Sequence, residues 1–231
     1  MRVLFIGNSH TFFNDMPQML RLLGKERGHE IEVVQNTSGG RGLDWQSNQF
    51  DVRFNVLFGG WDVIVMQHIA HPFPGRENLL EAAAKLMPYV LRSGAKALFY
   101  HPWSEKTNPE GQAVINEAHE ALKAAYPGSA LAPVGLVWDK LRGELDLYYK
   151  DGEHAGPLGS YLIACTFLRA LTGECVTGLP TTLEMGAPTF AGLTFEKTLS
   201  QDFDCPTAYE LDAAACRRVQ ETVDAMVEKV F

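Results

Sequence analysis

Short apolar runs alternate along the chain with longer stretches of helical periodicity. The runs are rich in valine, isoleucine, leucine and phenylalanine, which is typical of strands that helices cover on both faces. This pattern predicts strands over residues 2–6, 31–35, 62–67, 96–101 and 130–134, and helices over residues 15–27, 43–56, 76–93, 109–125 and 157–172. The alternation predicts right-handed βαβ units, and hence an α/β fold in which two helical layers enclose a parallel sheet.

The last third of the chain departs from this pattern. Residues 174–206 are rich in glycine, proline and threonine, and they predict an ordered surface excursion or, as the alternative, a covering lid. Residues 207–230 carry Val219, Val223, Met226 and Val230 at helical spacing, which predicts a C-terminal helix packed on the core. A length of 231 residues with 46% hydrophobic content predicts one domain over residues 1–231.

Two segments place a serine, an aspartate and a histidine where they could act together. The first strand runs directly into Gly7-Asn8-Ser9-His10, and Asp151-Gly152-Glu153-His154 precedes the helix predicted at 157–172. A serine hydroxyl is a weak nucleophile, so it needs a neighbouring base, and the base needs a carboxylate that fixes its tautomer. We therefore predict Ser9 as nucleophile, His154 as base and Asp151 as its carboxylate. The alternative for the first segment is a plain strand-to-helix turn capped by Asn8 or Ser9.

Taken together, Gly7-Asn8-Ser9 and Asp151-x-x-His154 resemble the serine and Asp-x-x-His blocks of the SGNH/GDSL hydrolases, with Asn8 in place of the aspartate that commonly precedes the serine. The resemblance covers about two thirds of the chain. It implies a five-stranded parallel sheet in flavodoxin-like order. It also implies cleavage of carboxylic esters through an acyl-enzyme on Ser9.

The same resemblance implies an oxyanion hole built from three blocks. Ser9 supplies the first donor, and the second block corresponds to Ser38-Gly39-Gly40, where Gly40 is the expected donor and Gly39 the alternative. The Gly-x-Asn-Asp of the third block is absent, because the strand at 62–67 ends in Gln67. Glutamine offers the same amide donor as asparagine, so Gln67 is predicted as the third donor. The alternative is that Gln67 only satisfies neighbouring backbone groups.

Several side chains near the carboxyl ends of the strands are candidates for substrate binding. Arg41 follows the expected oxyanion glycine and could hold a polar or acidic group, and Trp45 and Trp103 could stack on a sugar ring. Plain packing is the alternative for the aromatic residues, which also include Phe12, Phe13 and Phe73. His68 is predicted to line the pocket, together with His71 and His101, in preference to a metal site, since no acidic third ligand is near.

Composition limits the partners. A net charge of −8 without a basic stripe argues against nucleic acid, and no apolar run reaches the 18 residues of a membrane span. Cys165, Cys175, Cys205 and Cys216 lack zinc spacing and are predicted as free thiols of a cytoplasmic protein. We expect a small-molecule ester as partner and no cofactor or metal. The oligomeric state stays open.

Two functions remain from the sequence. The first is an esterase that removes a small acyl group such as acetyl from a carbohydrate or similar metabolite, and the second is a flavodoxin-like module that binds a phosphate at the helix amino terminus after strand one. The Asp151-x-x-His154 pair favours the esterase, because a phosphate-binding module does not need it.

Overall fold

The computed structural model describes residues 1–185 and 208–231. Five parallel strands form its main sheet in the order β2-β1-β3-β4-β5, which confirms the predicted flavodoxin-like arrangement. The strands are β1 (Arg2–Gly7), β2 (Glu32–Thr37), β3 (Val63–Met66), β4 (Lys96–Tyr100) and β5 (Ala130–Ala132).

Helices cover both faces of this sheet. They are α1 (Ser9–Phe12), α2 (Met16–Glu26), α3 (Leu43–Gln46), α4 (Phe50–Phe58), α5 (Arg76–Ser93), α6 (Gly111–Ala125), α7 (Val134–Leu141), α8 (Pro157–Thr172) and α9 (Ala213–Met226). Side chains alternate along β1, so Val3 and Phe5 pack against α2 and α8, whereas Leu4 and Ile6 pack against α4 and α5. Because both of their faces are buried, the inner strands β1, β3 and β4 are apolar except at their ends, whereas the edge strand β2 is largely half-buried and includes Gln35 and Asn36.

Most predicted elements shift by one or two residues at an end, and three predictions also miss a break or a change of structure. The helix expected over 43–56 is two helices, α3 and α4, and the strand expected over 130–134 ends at Ala132 because Val134 already begins α7. The helix expected over 207–230 starts only at Ala213. It is preceded by β7 (Ala208–Glu210), which pairs antiparallel with β6 (Thr182–Glu184). Asp212 caps α9 by accepting the Ala215 N–H at 2.7 Å, which fixes where this helix begins.

Other expectations for the last third are tested only in part. Most of the glycine- and proline-rich excursion at 174–206 lies outside the described residues, as does Cys205. Cys165, Cys175 and Cys216 are free thiols, and Cys175 is exposed. Of the helices that the described ranges contain, none is both long and apolar enough to cross a membrane.

A strained turn links α1 to α2. Asn14 and Asp15 both have positive φ, at 53° and 51°, a conformation that asparagine and aspartate tolerate better than most residues. The Asp15 carboxyl oxygen Oδ1 is buried without a hydrogen-bond partner among the described residues. Burial raises the pKa of Asp15 to about 6, although the Gln18 backbone and the Arg21 charge oppose the shift. The folded protein therefore binds this proton more tightly than the unfolded chain does.

Asp15→Asn should stabilise the protein at neutral pH. Because folding raises the pKa of Asp15, ionisation of this group lowers the free energy of unfolding. The loss is complete above about pH 6 and absent below the usual pKa of 3.8, where the carboxyl group is protonated in both states. The free energy of unfolding of the variant should exceed that of the wild type by roughly 2–3 kcal/mol at pH 7.5, and this excess should shrink towards pH 4. Urea unfolding at both pH values measures it, and an excess independent of pH would contradict the explanation.

Candidate active site

Ser9 lies in a tight turn directly after β1. The turn needs glycine at position 7, since a Cβ there would come within 2.5 Å of the Thr11 hydroxyl oxygen and 2.7 Å of the Gln67 amide oxygen. The Asn8 side-chain oxygen accepts the His10 N–H at 3.1 Å and so caps α1. The serine is thereby presented at the carboxyl edge of the sheet, where open α/β folds bind ligands.

Asp151 and His154 lie in a second tight turn, between α7 and α8. Asp151 Oδ1 accepts the backbone N–H groups of Glu153 and His154 at 2.9 and 3.0 Å, and the positive φ of Gly152 allows the chain to reverse. Asn14 donates to the Ala155 carbonyl at 2.9 Å and thus connects the two turns. Both turns are therefore held by side chains from elsewhere in the chain.

A line of hydrogen bonds joins the three predicted residues. Ser9 Oγ is 2.7 Å from His154 Nε2, and His154 Nδ1 is 2.7 Å from Asp151 Oδ2. A carboxylate only accepts, so Nδ1 carries the proton and donates to Asp151, which leaves Nε2 to accept the Ser9 hydroxyl proton. This arrangement can generate a nucleophilic serine by general-base catalysis.

Asp151 is suited to stay ionised. Burial alone raises the pKa of its carboxyl group, but the Glu153 backbone N–H and the His154 side chain and N–H donate to the carboxylate. Together these bonds outweigh burial and lower the pKa below its usual value. Asp151 can therefore balance a positive charge on His154, whose side chain is only 19% exposed.

Gly40 and Ser9 line the same cavity, which has a volume of about 270 Å³, whereas Gly39 is not among the described residues that line it. Gly40 has φ of 67°, so its conformation requires glycine even though no atom would crowd a Cβ. Asn8 Nδ2 donates to the Arg41 carbonyl at 3.1 Å and ties this loop to the nucleophile turn. Neither the Ser9 nor the Gly40 N–H donates to any other described residue.

The contacts of Gln67 match the alternative interpretation of this residue better than the expected role as third oxyanion donor. Its side chain is fully buried, and Oε1 accepts the Asn8 N–H at 2.9 Å and the Thr11 hydroxyl at 3.1 Å. Its amide nitrogen donates to the His68 carbonyl. The amide therefore forms hydrogen bonds with neighbouring groups, as in the alternative interpretation. Its oxygen holds the turn that carries Ser9.

His68 and Trp103 also have other roles than the expected contact with substrate. His68 is buried, accepts the Leu43 N–H at 3.0 Å and lies 2.9 Å from Asn78 Oδ1, so it holds the start of α3. Trp103 is fully buried and donates its indole N–H to the Glu153 carbonyl at 2.9 Å. It thus supports the turn that carries His154. His101, which was expected to line the pocket too, is buried below the surface.

Arg41 and Trp45 lie next to each other beside Gly40. The guanidinium of Arg41 is 5.5 Å from the centre of the Trp45 ring, within the range of a cation–π contact. Neither residue is among the described residues that line the catalytic cavity, so a contact of either side chain with substrate stays a prediction.

Two histidines line the catalytic cavity, and the sequence predicted this position for His71 but gave no role to His10. His10 and His71 both line the cavity, with His10 Nε2 2.8 Å from His71 Nδ1. The position of His10 directly after Ser9 was the available signal, because a residue adjacent to a nucleophile cannot lie far from it. His71 follows β3, and its position after that strand was the signal that placed it at the pocket.

A second cavity adjoins the first. It has a volume of about 200 Å³ and shares Ala70 and His71 with the catalytic cavity. Its other walls include the ring of Phe73 and the polar side chains of Glu105 and Asn108. Within residues 1–185 and 208–231, no cluster of three or more histidine, cysteine, aspartate or glutamate side chains could hold a metal ion.

No protein-family model matches the chain, and no curated protein matches it either. Several solved structures do match the chain in fold. A DUF4886 family protein from Bacteroides uniformis superposes with a TM-score of 0.72 at 19% identity, covering 97% of this chain and 93% of that one. A member of the lipolytic G-D-S-L family from Veillonella parvula gives a TM-score of 0.59 at 13% identity, covering 75% of this chain and 100% of that one.

A family 3 carbohydrate esterase from Clostridium thermocellum gives a TM-score of 0.57 at 11% identity, covering 73% of this chain and 94% of that one. At these identities the similarity is one of fold. The chain therefore has the α/β fold found in lipolytic G-D-S-L proteins and carbohydrate esterases.

Proposed function

We propose that this protein is a serine esterase that cleaves carboxylic esters through an acyl-enzyme on Ser9. The observation that carries the proposal is the line of two 2.7 Å contacts from Ser9 through His154 to Asp151. Ser9 Oγ attacks the ester carbonyl carbon while its proton moves to His154 Nε2. His154 then gives this proton to the departing alcohol, and a water molecule activated in the same way releases the acid.

The developing oxyanion is stabilised, in this proposal, by the backbone N–H groups of Ser9 and Gly40. Both residues line the cavity, and neither N–H is used by another described residue. Backbone donors fixed before the reaction need no reorganisation when the negative charge forms. Gln67 contributes indirectly, since its amide oxygen holds the Asn8 N–H next to Ser9.

The proposed substrate is a short acyl ester, such as an acetyl ester, of a carbohydrate or similar metabolite. A catalytic cavity of about 270 Å³ suits a small acyl group with part of its alcohol. The adjoining cavity places Glu105 and Asn108 beside the Phe73 ring, and a polar rim with an aromatic face is suited to a sugar. The fold similarity to carbohydrate esterases agrees with this choice.

Location in the cytoplasm stays a prediction.

The phosphate-binding alternative finds less support. The helix after β1 is only four residues long, and Asn8 already occupies the His10 N–H that would point at an anion. A phosphate-binding module would also leave the close contacts between Asp151, His154 and Ser9 without a purpose. Acyl transfer to another alcohol in place of water would use the same residues.

Ser9→Ala should abolish hydrolysis of p-nitrophenyl acetate, because the variant lacks the nucleophile. Loss of such a residue commonly lowers kcat by ~10⁴-fold or more, while the melting temperature should stay near that of the wild type. Mass spectrometry of the wild type after treatment with a serine-directed phosphonate should map one adduct to Ser9. A folded Ser9→Ala variant that keeps most of its activity would refute the mechanism.

The kcat/KM of the wild type should rise with pH until His154 has lost its proton and then level off, since only the neutral ring accepts the serine proton. Asp151→Asn should lower kcat by roughly 10³–10⁴-fold, because the ring loses the carboxylate that fixes its tautomer. Asp146→Asn is the matched control, since its side chain is 85% exposed and 3.8 Å from Lys106. Equal losses in both variants would argue against the role of Asp151.

Gln67→Met should mainly lower the free energy of unfolding. The loss of transition-state stabilisation, measured as the fall in kcat, should be smaller. The substitution keeps the side-chain volume but leaves the buried Asn8 N–H without an acceptor, which costs roughly 1–3 kcal/mol of unfolding free energy. Gly40→Ala should lower kcat and stability together, because alanine is strained at the positive φ that holds the Gly40 N–H in place. Urea unfolding and kcat measured on both variants compare the two. A kcat loss of ~10²–10³-fold at full stability in Gln67→Met would restore Gln67 as a direct donor.

A further inference from the structure

The imidazole of His154 lies between two other rings, which the mechanism so far does not use. The Phe13 ring stacks on one side with its centre 4.0 Å from that of His154 and an interplanar angle of 13°. The His10 ring lies 4.8 Å away at an angle of 25°. Both residues belong to the turn that follows Ser9, so the segment that carries the nucleophile also packs on the base.

The chemistry of the reaction gives this stacking a consequence. When Ser9 attacks, its proton moves to His154 and the neutral ring becomes an imidazolium cation. A cation within about 6 Å of an aromatic centre is attracted by the negative face of the ring. The 4.0 Å stack of Phe13 satisfies this condition, and it holds the imidazole plane in position before the proton arrives.

His10 can contribute only if it stays uncharged, and its burial favours the neutral ring. The Trp103 carbonyl only accepts, so His71 Nε2, 2.8 Å away, carries a proton and donates to it. Burial lowers the pKa of His71, which therefore has a bare Nδ1 that accepts the proton on His10 Nε2 at 2.8 Å. Burial, together with the nearness of His71 and His154, also lowers the pKa of His10 well below its usual value.

We propose that Phe13 and His10 are positioning residues that clamp the catalytic imidazole between two uncharged ring faces and stabilise the imidazolium formed in the transition state. The proposal rests on the proposed function for the role of His154. Other charged or titratable groups around the ring are Asp151 and Glu153 on its own turn, and His71 from the loop after β3. Of these only Asp151 bonds directly to the ring.

The test is to titrate the His154 ring by NMR in the full-length protein, with the signal assigned by its loss in His154→Asn. Phe13→Leu keeps an apolar side chain against the ring but removes the π face, so the difference between the two proteins isolates the cation–π contribution. The titration midpoint should move to lower pH by roughly 0.3–1.5 units, and kcat on p-nitrophenyl acetate should fall roughly 2–30-fold. KM should change little, because Phe13 is not among the described residues that line the cavity.

Two variants serve as comparisons. Phe13→Tyr keeps the ring face and should restore both the midpoint and kcat to within about twofold. Phe12→Leu makes the same substitution one residue earlier, where the ring packs on Phe13 with centres 6.1 Å apart but does not stack on His154, and it should shift the midpoint far less than Phe13→Leu does. If Phe13→Leu does not fold, incorporation of pentafluorophenylalanine at position 13 reverses the charge of the ring face at nearly the same shape, and the midpoint should fall again.

An unchanged midpoint in a folded Phe13→Leu protein, or an equal shift in Phe12→Leu, would overturn the clamp. This readout does not require turnover. A protein that binds no phosphonate at Ser9 and hydrolyses no ester would contradict the proposed function, while the titration of His154 would still report on the ring contacts. The two failures are therefore distinguishable.

Discussion

The hydrogen bonds that the Gln67 amide oxygen accepts from the Asn8 N–H and the Thr11 hydroxyl hold the turn on which the whole site depends. They can form only because Gly7 has no side chain in the space between β1 and β3. With this turn fixed, Ser9 lines the catalytic cavity, and the rings of His10 and Phe13 pack on the imidazole of His154. A buried amide at the end of one strand thus determines the geometry at the end of its neighbour.

The second half of the site is brought in over a large separation along the chain. Ser9 and His154 are 145 residues apart, and two side chains secure the contact between their segments. Asn14 reaches the Ala155 carbonyl and the Ser160 hydroxyl, and Trp103 reaches the Glu153 carbonyl. Each bond gives a partner to a polar group that would otherwise be buried without one. The hydrogen bonds that hold the site are therefore also the ones that buried polar groups need.

Local patterns in the sequence predict the sheet, most of the helices and the residues Ser9, Asp151 and His154. These features depend on residues near each other in the chain, such as the apolar run before Ser9 or the spacing from Asp151 to His154. The role of Gln67 depends instead on the direction in which a buried amide points, and groups from β1 and the turn after it set that direction. The contacts of Trp103 and His68 could not be predicted for the same reason, because an aromatic ring after a strand can face the pocket or support its walls.

The break between α3 and α4 has a similar origin. Gln46 uses its side chain to donate to the Gly7 carbonyl at 2.8 Å, so the end of α3 is fixed by β1 rather than by its own helical preference. The hydrophobic periodicity of the sequence cannot predict that contact.

The two cavities of the site are each lined by one carboxylate and by no lysine or arginine among the described residues. Glu153 lines the catalytic cavity, Glu105 lines the adjoining one, and His10 and His71 are held neutral between them. Ester cleavage turns an uncharged acyl group into an anion, so the acid product experiences a repulsion that the substrate does not. The electrostatic field thus favours departure of the acid and disfavours its return. Inhibition by accumulated product should consequently be weak, and weakest at low ionic strength, where screening is least.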